Sequence, residues 1–225
     1  MTAKHLPCYC WPVRYFPINI DLQGRDCVVI GGGNVARRKI DSLLKAGARL
    51  KVVAPKIDEA IKERAAADKI TCLERKYKRG DLEGAVLAFV AANPEVGEEV
   101  ALEASRLNIP INVADIPEQC SFTLPSVSER GDLMLTVSTG GKCPAFSRAV
   151  RLKVEELIDA PHGEALELLG SVRNRLIDAG IDTNKCRDSL NKLIDSDILS
   201  LLRNGEKKKA EAAADKAVKE ATAKD

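Results

Sequence analysis

No run of about 18 apolar residues occurs in this chain, and no charged-then-apolar leader with a small-residue cleavage site opens it. A membrane span and a secretory signal are therefore not expected, and the chain is placed in the cytoplasm. Histidine is scarce. His5 and His162 have no supporting ligand or acid in view, so each reads as a surface or helix-start residue. Paired cysteines are missing too. Cys8, Cys10, Cys27, Cys72, Cys120, Cys143 and Cys186 form an odd, scattered set with no CxxC spacing, which argues against a disulfide framework and against a zinc or cluster site. Cys8 and Cys10 in "PCYCWP" lack a second ligand pair and read as surface thiols. Nor is there an excess of one charge. The 35 Lys and Arg residues face 33 acidic ones, so no nucleic-acid partner is expected, although a local basic cleft for an anionic ligand remains compatible.

What is present is a 225-residue chain, 45% apolar, long enough for one large or two small domains. From Asp26 to Val113, short apolar runs alternate with helix-patterned segments, the pattern of a parallel sheet covered by helices. Strands are expected at Cys27 to Ile30, Leu50 to Ala54, Ile70 to Leu73, Ala85 to Ala91 and Ile111 to Val113, with crossover helices at Val35 to Lys45, Ile57 to Asp68 and Val96 to Leu107. After Asp115 the rhythm changes. "SFTLPSVSERGDLMLTVSTGG" reads as two extended pieces around an Arg130-Gly131-Asp132 turn. Helices follow at Ala145 to Ile158, Glu164 to Ala179 and Lys185 to Leu202. The tail 205–225 offers charges and alanines but little to bury, so a disordered or frayed, solvated segment is expected there. The fold class is thus α/β: a Rossmann-like parallel-sheet domain over 15–114 behind an N-terminal extension, 1–14, then a small region at 115–143 and a helical domain at 144–204.

"DCVVIGGGNVARRKIDSLLKAG" holds the strongest chemical signal. A dinucleotide sets its diphosphate against a helix N-terminus, where unpaired amides and the helix dipole favour anions and a side chain at the turn would block the approach. Gly31 suits the tight turn, Gly33 the close approach and Ala36 the third position of the pattern, with Asn34 and Val35 opening the helix. The plainer reading is a glycine-rich turn that binds nothing. The acid expected after the second strand for the adenine ribose is absent. "VVAPKID" places Pro55 and Lys56 there, with Asp58 far along, and Lys56 equally suits a ribose phosphate.

Three motifs in order, "YFPINIDLQGRDCVVIGGGNVARRKIDSLLKAGARLKVVAP", "NVADIPEQCSFTLPSV" and "LTVSTGGKCPAFSRAVR", resemble the precorrin-2 dehydrogenase family, which includes the amino-terminal module of siroheme synthase. The resemblance covers about Tyr15 to Leu157. It implies NAD as cofactor, dehydrogenation of precorrin-2 to sirohydrochlorin, in some members insertion of ferrous iron to give siroheme, and a homodimer joined through the region after the nucleotide domain. It also places the family's key acid on Asp115. Independently, Asp115 ends the last expected strand of a parallel sheet, where ligands gather. A carboxylate there can take the proton lost in oxidation; the plainer reading is a turn or capping aspartate. In "VSTGGKCP", Ser138, Thr139, Gly140 and Gly141 precede a helix, and Lys142 and Arg148, with Arg151, add positive charge suited to substrate carboxylates. The alternative is a solvated strand-to-helix linker. Family members usually carry serine at Cys143. Competing readings are a bifunctional dehydrogenase and ferrochelatase, and a protein that binds nucleotide and tetrapyrrole without turnover. No resident metal site is expected.

Overall fold

The computed structural model describes residues 14–65 and 70–223. The N-terminal stretch with His5, Cys8, Cys10 and Trp11, and Asp68 at the end of one expected helix, lie outside the described residues. The chain divides into two compact units between Leu124 and Pro125. That boundary differs from the expected one: residues 115–124 stay with the first unit and the extended pieces after them go with the helices.

The first unit holds β1 (Asp26–Ile30), α1 (Asn34–Lys45), β2 (Arg49–Ala54), α2 (Glu59–Ala65), β3 (Ile70–Glu74), β4 (Leu87–Val90), α3 (Pro94–Leu107) and β5 (Ile111–Val113). The strands form one parallel sheet in the order β3-β2-β1-β4-β5. Alternation along each strand divides its apolar side chains between two faces. Cys27, Val29, Leu50, Val52, Leu87 and Phe89 meet Ile40 and Leu43 of α1 and Ile61 of α2. Val28, Ile30, Val53, Ala88 and Val90 meet Val100 and Ala104 of α3. Helix α1 buries Ala36, Ile40 and Leu43, one stripe at four- and three-residue spacing. Helix α3 opens on Asn93, whose side chain accepts from the Val96 amide, and closes on Asn108 in the left-handed region at φ 54°.

The link from β3 to β4 is a loop of turns rather than a helix. Buried carboxylates fix it. Arg75 grips Asp81 through two bonds of 2.7 Å, and the Lys78 amide also donates to Asp81 at 2.9 Å. The Gly80 amide donates to Glu103 of α3 at 2.7 Å, and the Tyr77 hydroxyl donates to the same carboxylate. The Arg75 guanidinium holds the Asp81 carboxyl below its ordinary pKa, against the opposing effect of burial.

The second unit begins with the antiparallel hairpin β6 (Ser126–Arg130) and β7 (Leu133–Val137), as the Gly131 turn predicted. Helices α4 (Pro144–Leu157), α5 (Ala160–Asp178), α6 (Thr183–Ile194), α7 (Ile198–Arg203) and α8 (Lys207–Thr222) follow. Two expectations fail here. The single helix predicted over Lys185 to Leu202 is broken between Ile194 and Ile198, and Asp182 caps α6 by accepting from the Asn184 and Lys185 amides. The predicted disordered tail is α8, with Ala210, Ala214 and Ala221 buried against Val172, Leu176, Leu193 and Leu202. Alanine presents too little apolar surface to signal a core by hydrophobicity, yet its small size lets helices approach closely and bury backbone. His162 stands in the first turn of α5, a helix-start residue as expected, but it has an acid beside it: its Nδ1 lies 2.6 Å from Asp159, which also pairs with Arg203 at 2.7 Å.

Candidate functional site

The sheet order reverses between β1 and β4, since the chain runs outward through β2 and β3 and then returns to the other side of β1. Crevices outside the carboxyl ends of strands at such a reversal are the ligand sites of open parallel sheets. The glycine turn leaves β1 there. Gly31 is buried with φ +129°, and an added Cβ would lie 2.3 Å from the Ala91 carbonyl oxygen at the end of β4. Gly32 is equally confined, by the Lys56 carbonyl oxygen at 2.3 Å. Gly33 differs: an added Cβ there would meet nothing within 4 Å. The first two glycines thus serve packing, and the third leaves open space in front of α1.

That helix has no side-chain cap among the described residues, although its first-turn amides point into the space beside Gly33. An anion is the fitting partner. Asn34 and Val35 are exposed, whereas Ala36 is fully buried beneath the turn, so its methyl packs against the core and only its amide faces the helix start. The Gly32 carbonyl accepts from the Asp58 amide at 2.9 Å and ties the exit of β2 to the turn. Pro55 and Lys56 lie exposed on that exit. Asp58 is engaged as the cap of α2, accepting from the Ala60 amide at 2.9 Å.

On the far side of β4, the Ala114 amide donates to Val90 at 2.8 Å, and the next residue is Asp115. Asp115 adopts φ +62°, a conformation disfavoured for residues with a Cβ but tolerated best by aspartate and asparagine. Its side chain is exposed and makes no hydrogen bond or ion pair among the described residues. Backbone strain of this kind clusters at working sites. The glycine turn and Asp115 therefore flank the end of β4 from opposite sides.

Two neighbours escaped the sequence reading. The Cys120 thiol accepts from the Val113 amide at 3.2 Å and lies 3.3 Å from the Ile116 carbonyl, bracing the bend that carries Asp115. Lys39 of α1 is half buried with its ammonium 6.0 Å from the centre of the Phe89 ring, which packs edge-on against Phe122. Burial lowers the Lys39 pKa, and Arg38 lowers it further. Both residues were visible as letters in the motifs; their roles are tertiary.

In the second unit, Ser138 to Lys142 form an exposed turn before α4. Gly140 and Gly141 have φ of 61° and 83°, Ser138 accepts from the Gly140 amide at 3.2 Å, and Thr139 accepts from the Cys143 amide at 3.3 Å. Lys142 and Arg148 are exposed. Arg151 is instead held by Glu155 at 2.5 Å and Ser126 at 3.0 Å. Among the described residues no group of three or more His, Cys, Asp or Glu is placed to hold a metal ion, and no helix is long and apolar enough to cross a membrane.

The sequence model of a family described as putative NAD(P)-binding matches residues 18–126. Among curated proteins, the siroheme synthase of Ectopseudomonas mendocina is 41% identical over 165 residues, 73% of this chain and 35% of the relative. The siroheme synthase of Stutzerimonas stutzeri is 39% identical over 162 residues, 72% of this chain and 35% of the relative. That of Azotobacter vinelandii is 35% identical over 198 residues, 88% of this chain and 43% of the relative. The chain thus spans about 35% to 43% of the length of these relatives. A solved structure titled SirC, precorrin-2 dehydrogenase, superposes with TM-score 0.72 over 92% of this chain and 98% of that one at 22% identity, which establishes the shared fold. The family resemblance read from three motifs is borne out, and so is the Rossmann-like fold class with its helical carboxyl-terminal part.

Proposed function

We propose that this protein is an NAD-dependent precorrin-2 dehydrogenase of the cytoplasm, producing sirohydrochlorin for siroheme biosynthesis. One observation carries the reading: a helix start without a side-chain cap, beside an open glycine, and a strained carboxylate without a partner among the described residues flank the same strand end. The names of the similar proteins point the same way. When bound, the nicotinamide supplies the hydride acceptor. The amides of Asn34, Val35 and Ala36 hold the diphosphate, the bare Gly33 admits it, and Pro55 with Lys56 borders the adenosine end. Asp115, exposed and unpaired, takes the proton that leaves the substrate as the hydride departs, so the macrocycle loses one hydride and one proton. The turn Ser138, Thr139, Gly140 and Gly141, with Lys142 and Arg148, binds carboxylates of the tetrapyrrole.

The assembly is a homodimer formed through the hairpin and α4. Val127 and Met134 share one face of the hairpin and are 40% and 49% exposed, and Phe146 and Leu157 share one side of α4 and are 62% and 72% exposed in the single chain, apolar surface available to a second copy. A two-stranded hairpin is also marginal alone and gains from added strands or packing. Ferrous iron insertion into the product is a second reading, favoured by the same free carboxylate, which is equally placed to take protons from pyrrole nitrogens. Anaerobic mixing with precorrin-2 and NAD tests the main proposal. NADH absorbance and a sirohydrochlorin spectrum are expected. Asp115→Asn, which keeps the left-handed turn, should lower turnover by about 10²- to 10⁴-fold with NAD affinity unchanged. Absence of NADH from the unmodified protein would count decisively against the assignment. Ferrous iron added to sirohydrochlorin should give siroheme faster than without protein if the second activity exists.

A further inference from the structure

Discrimination between the two nicotinamide dinucleotides rests on the residue that meets the adenine ribose. A carboxylate beyond the second strand binds the 2′-hydroxyl and repels a 2′-phosphate, while a cation there attracts the phosphate. In this chain the carboxylates around that exit are occupied. Asp58 caps α2 through the Ala60 amide at 2.9 Å. Glu74 stands in register with Ala54, the last residue of β2, and its side chain pairs with Lys62 at 2.8 Å. Glu59 pairs with the same lysine at 3.2 Å. The Lys62 ammonium keeps the Glu74 carboxyl below its ordinary pKa, so that acid stays charged and matched by a cation.

Lys56 is the contrasting residue. It lies two positions beyond β2, its side chain is exposed, and it makes no ion pair among the described residues. Its position is fixed from behind. Its carbonyl oxygen packs against Gly32, 2.3 Å from where a Cβ would stand, and the Asp58 amide bonds the Gly32 carbonyl at 2.9 Å. The Lys56 backbone is therefore held beside the glycine turn, and its exposed side chain carries a positive charge to that border.

We propose that Lys56 makes this site accept the 2′-phosphorylated dinucleotide, NADP, as well as NAD, by pairing with the ribose phosphate. The inference rests on the glycine turn being a dinucleotide site, as argued above. Calorimetric titration of the full chain with NAD and with NADP tests it without turnover. The two Kd values should lie within about tenfold of each other, and NADP affinity should fall more steeply with salt because it carries the extra charge pair. Lys56→Ala should raise the ratio of the NADP Kd to the NAD Kd by about tenfold or more, the loss of one charge-assisted contact that NAD does not make. Lys56→Glu should raise that ratio further. Tight NAD binding with no NADP binding would overturn this inference and leave the proposed function standing, as would equal losses for both ligands in Lys56→Ala. Failure of both dinucleotides to bind the unmodified chain would overturn both.

Discussion

Gly33→Ala separates the ligand-facing role of the glycine turn from its packing role. Gly33 has φ −100° and ψ −166°, which alanine adopts freely, and its added methyl would meet nothing within 4 Å. Alanine is a poorer helix-start residue than glycine by about 0.5–1 kcal/mol, but it stiffens the unfolded chain by about 0.4–1 kcal/mol. These effects nearly cancel, so the midpoint of thermal unfolding should move by no more than about 3 °C. Ligand binding should respond differently. The methyl occupies the space in front of α1 and displaces a phosphate from at least one amide. A hydrogen bond to a charged group contributes about 1.5–3 kcal/mol, so NAD affinity should fall about 10- to 150-fold. Gly31→Ala is the control. There the methyl would meet the Ala91 carbonyl oxygen at 2.3 Å on a backbone of φ +129°. Strain and overlap of about 2–4 kcal/mol should lower the midpoint by about 5–15 °C. Calorimetric titration and thermal unfolding by circular dichroism measure both properties on the same samples. The reasoning is refuted if Gly33→Ala binds NAD within threefold of the unmodified chain, or if it melts as low as Gly31→Ala.

Three other substitutions test the remaining architecture. Asp81→Asn should cost about 1–2 kcal/mol at pH 7 by urea unfolding, allowing for solvent screening at Arg75; since the folded carboxyl titrates below its unfolded value of about 3.9, the difference should be full above about pH 5, shrink as pH falls through the folded value, and vanish once both states are protonated. Ala214→Asp puts a carboxylate at a site 1% exposed and should destabilise the second unit by about 2 kcal/mol or more, seen as faster hydrogen exchange across α5 and α8 with the β1 and β4 amides unaffected. Met134→Glu, on the exposed face of β7, should yield monomers by sedimentation velocity if that face joins two copies; an unchanged sedimentation coefficient would place the interface elsewhere.

Much of the first unit was legible because its signals are local. A strand of β-branched residues, a glycine turn and an apolar stripe on α1 each dictate a conformation within a few residues. The site was legible only in part. The letters placed Asp115 after β5, but the positive φ of that residue and the bracing thiol of Cys120 depend on how the following turn folds back. The three glycines were legible as a turn, but not that Gly31 and Gly32 are closed off by neighbouring backbone while Gly33 is open. In the second unit the tail was misread for a plain reason. Hydrophobicity counts large side chains, and α8 is buried through alanines.

The missing cap at the start of α1 has a practical side. With a dinucleotide seated on those leading donors as proposed, occupancy would contribute about 2.7 kcal/mol once free nucleotide reaches a hundred times its Kd. The fold would then be reinforced by the cofactor it uses. Dialysis and gel filtration strip that support away, and samples kept for storage or crystallisation should last longer with the dinucleotide returned to the buffer.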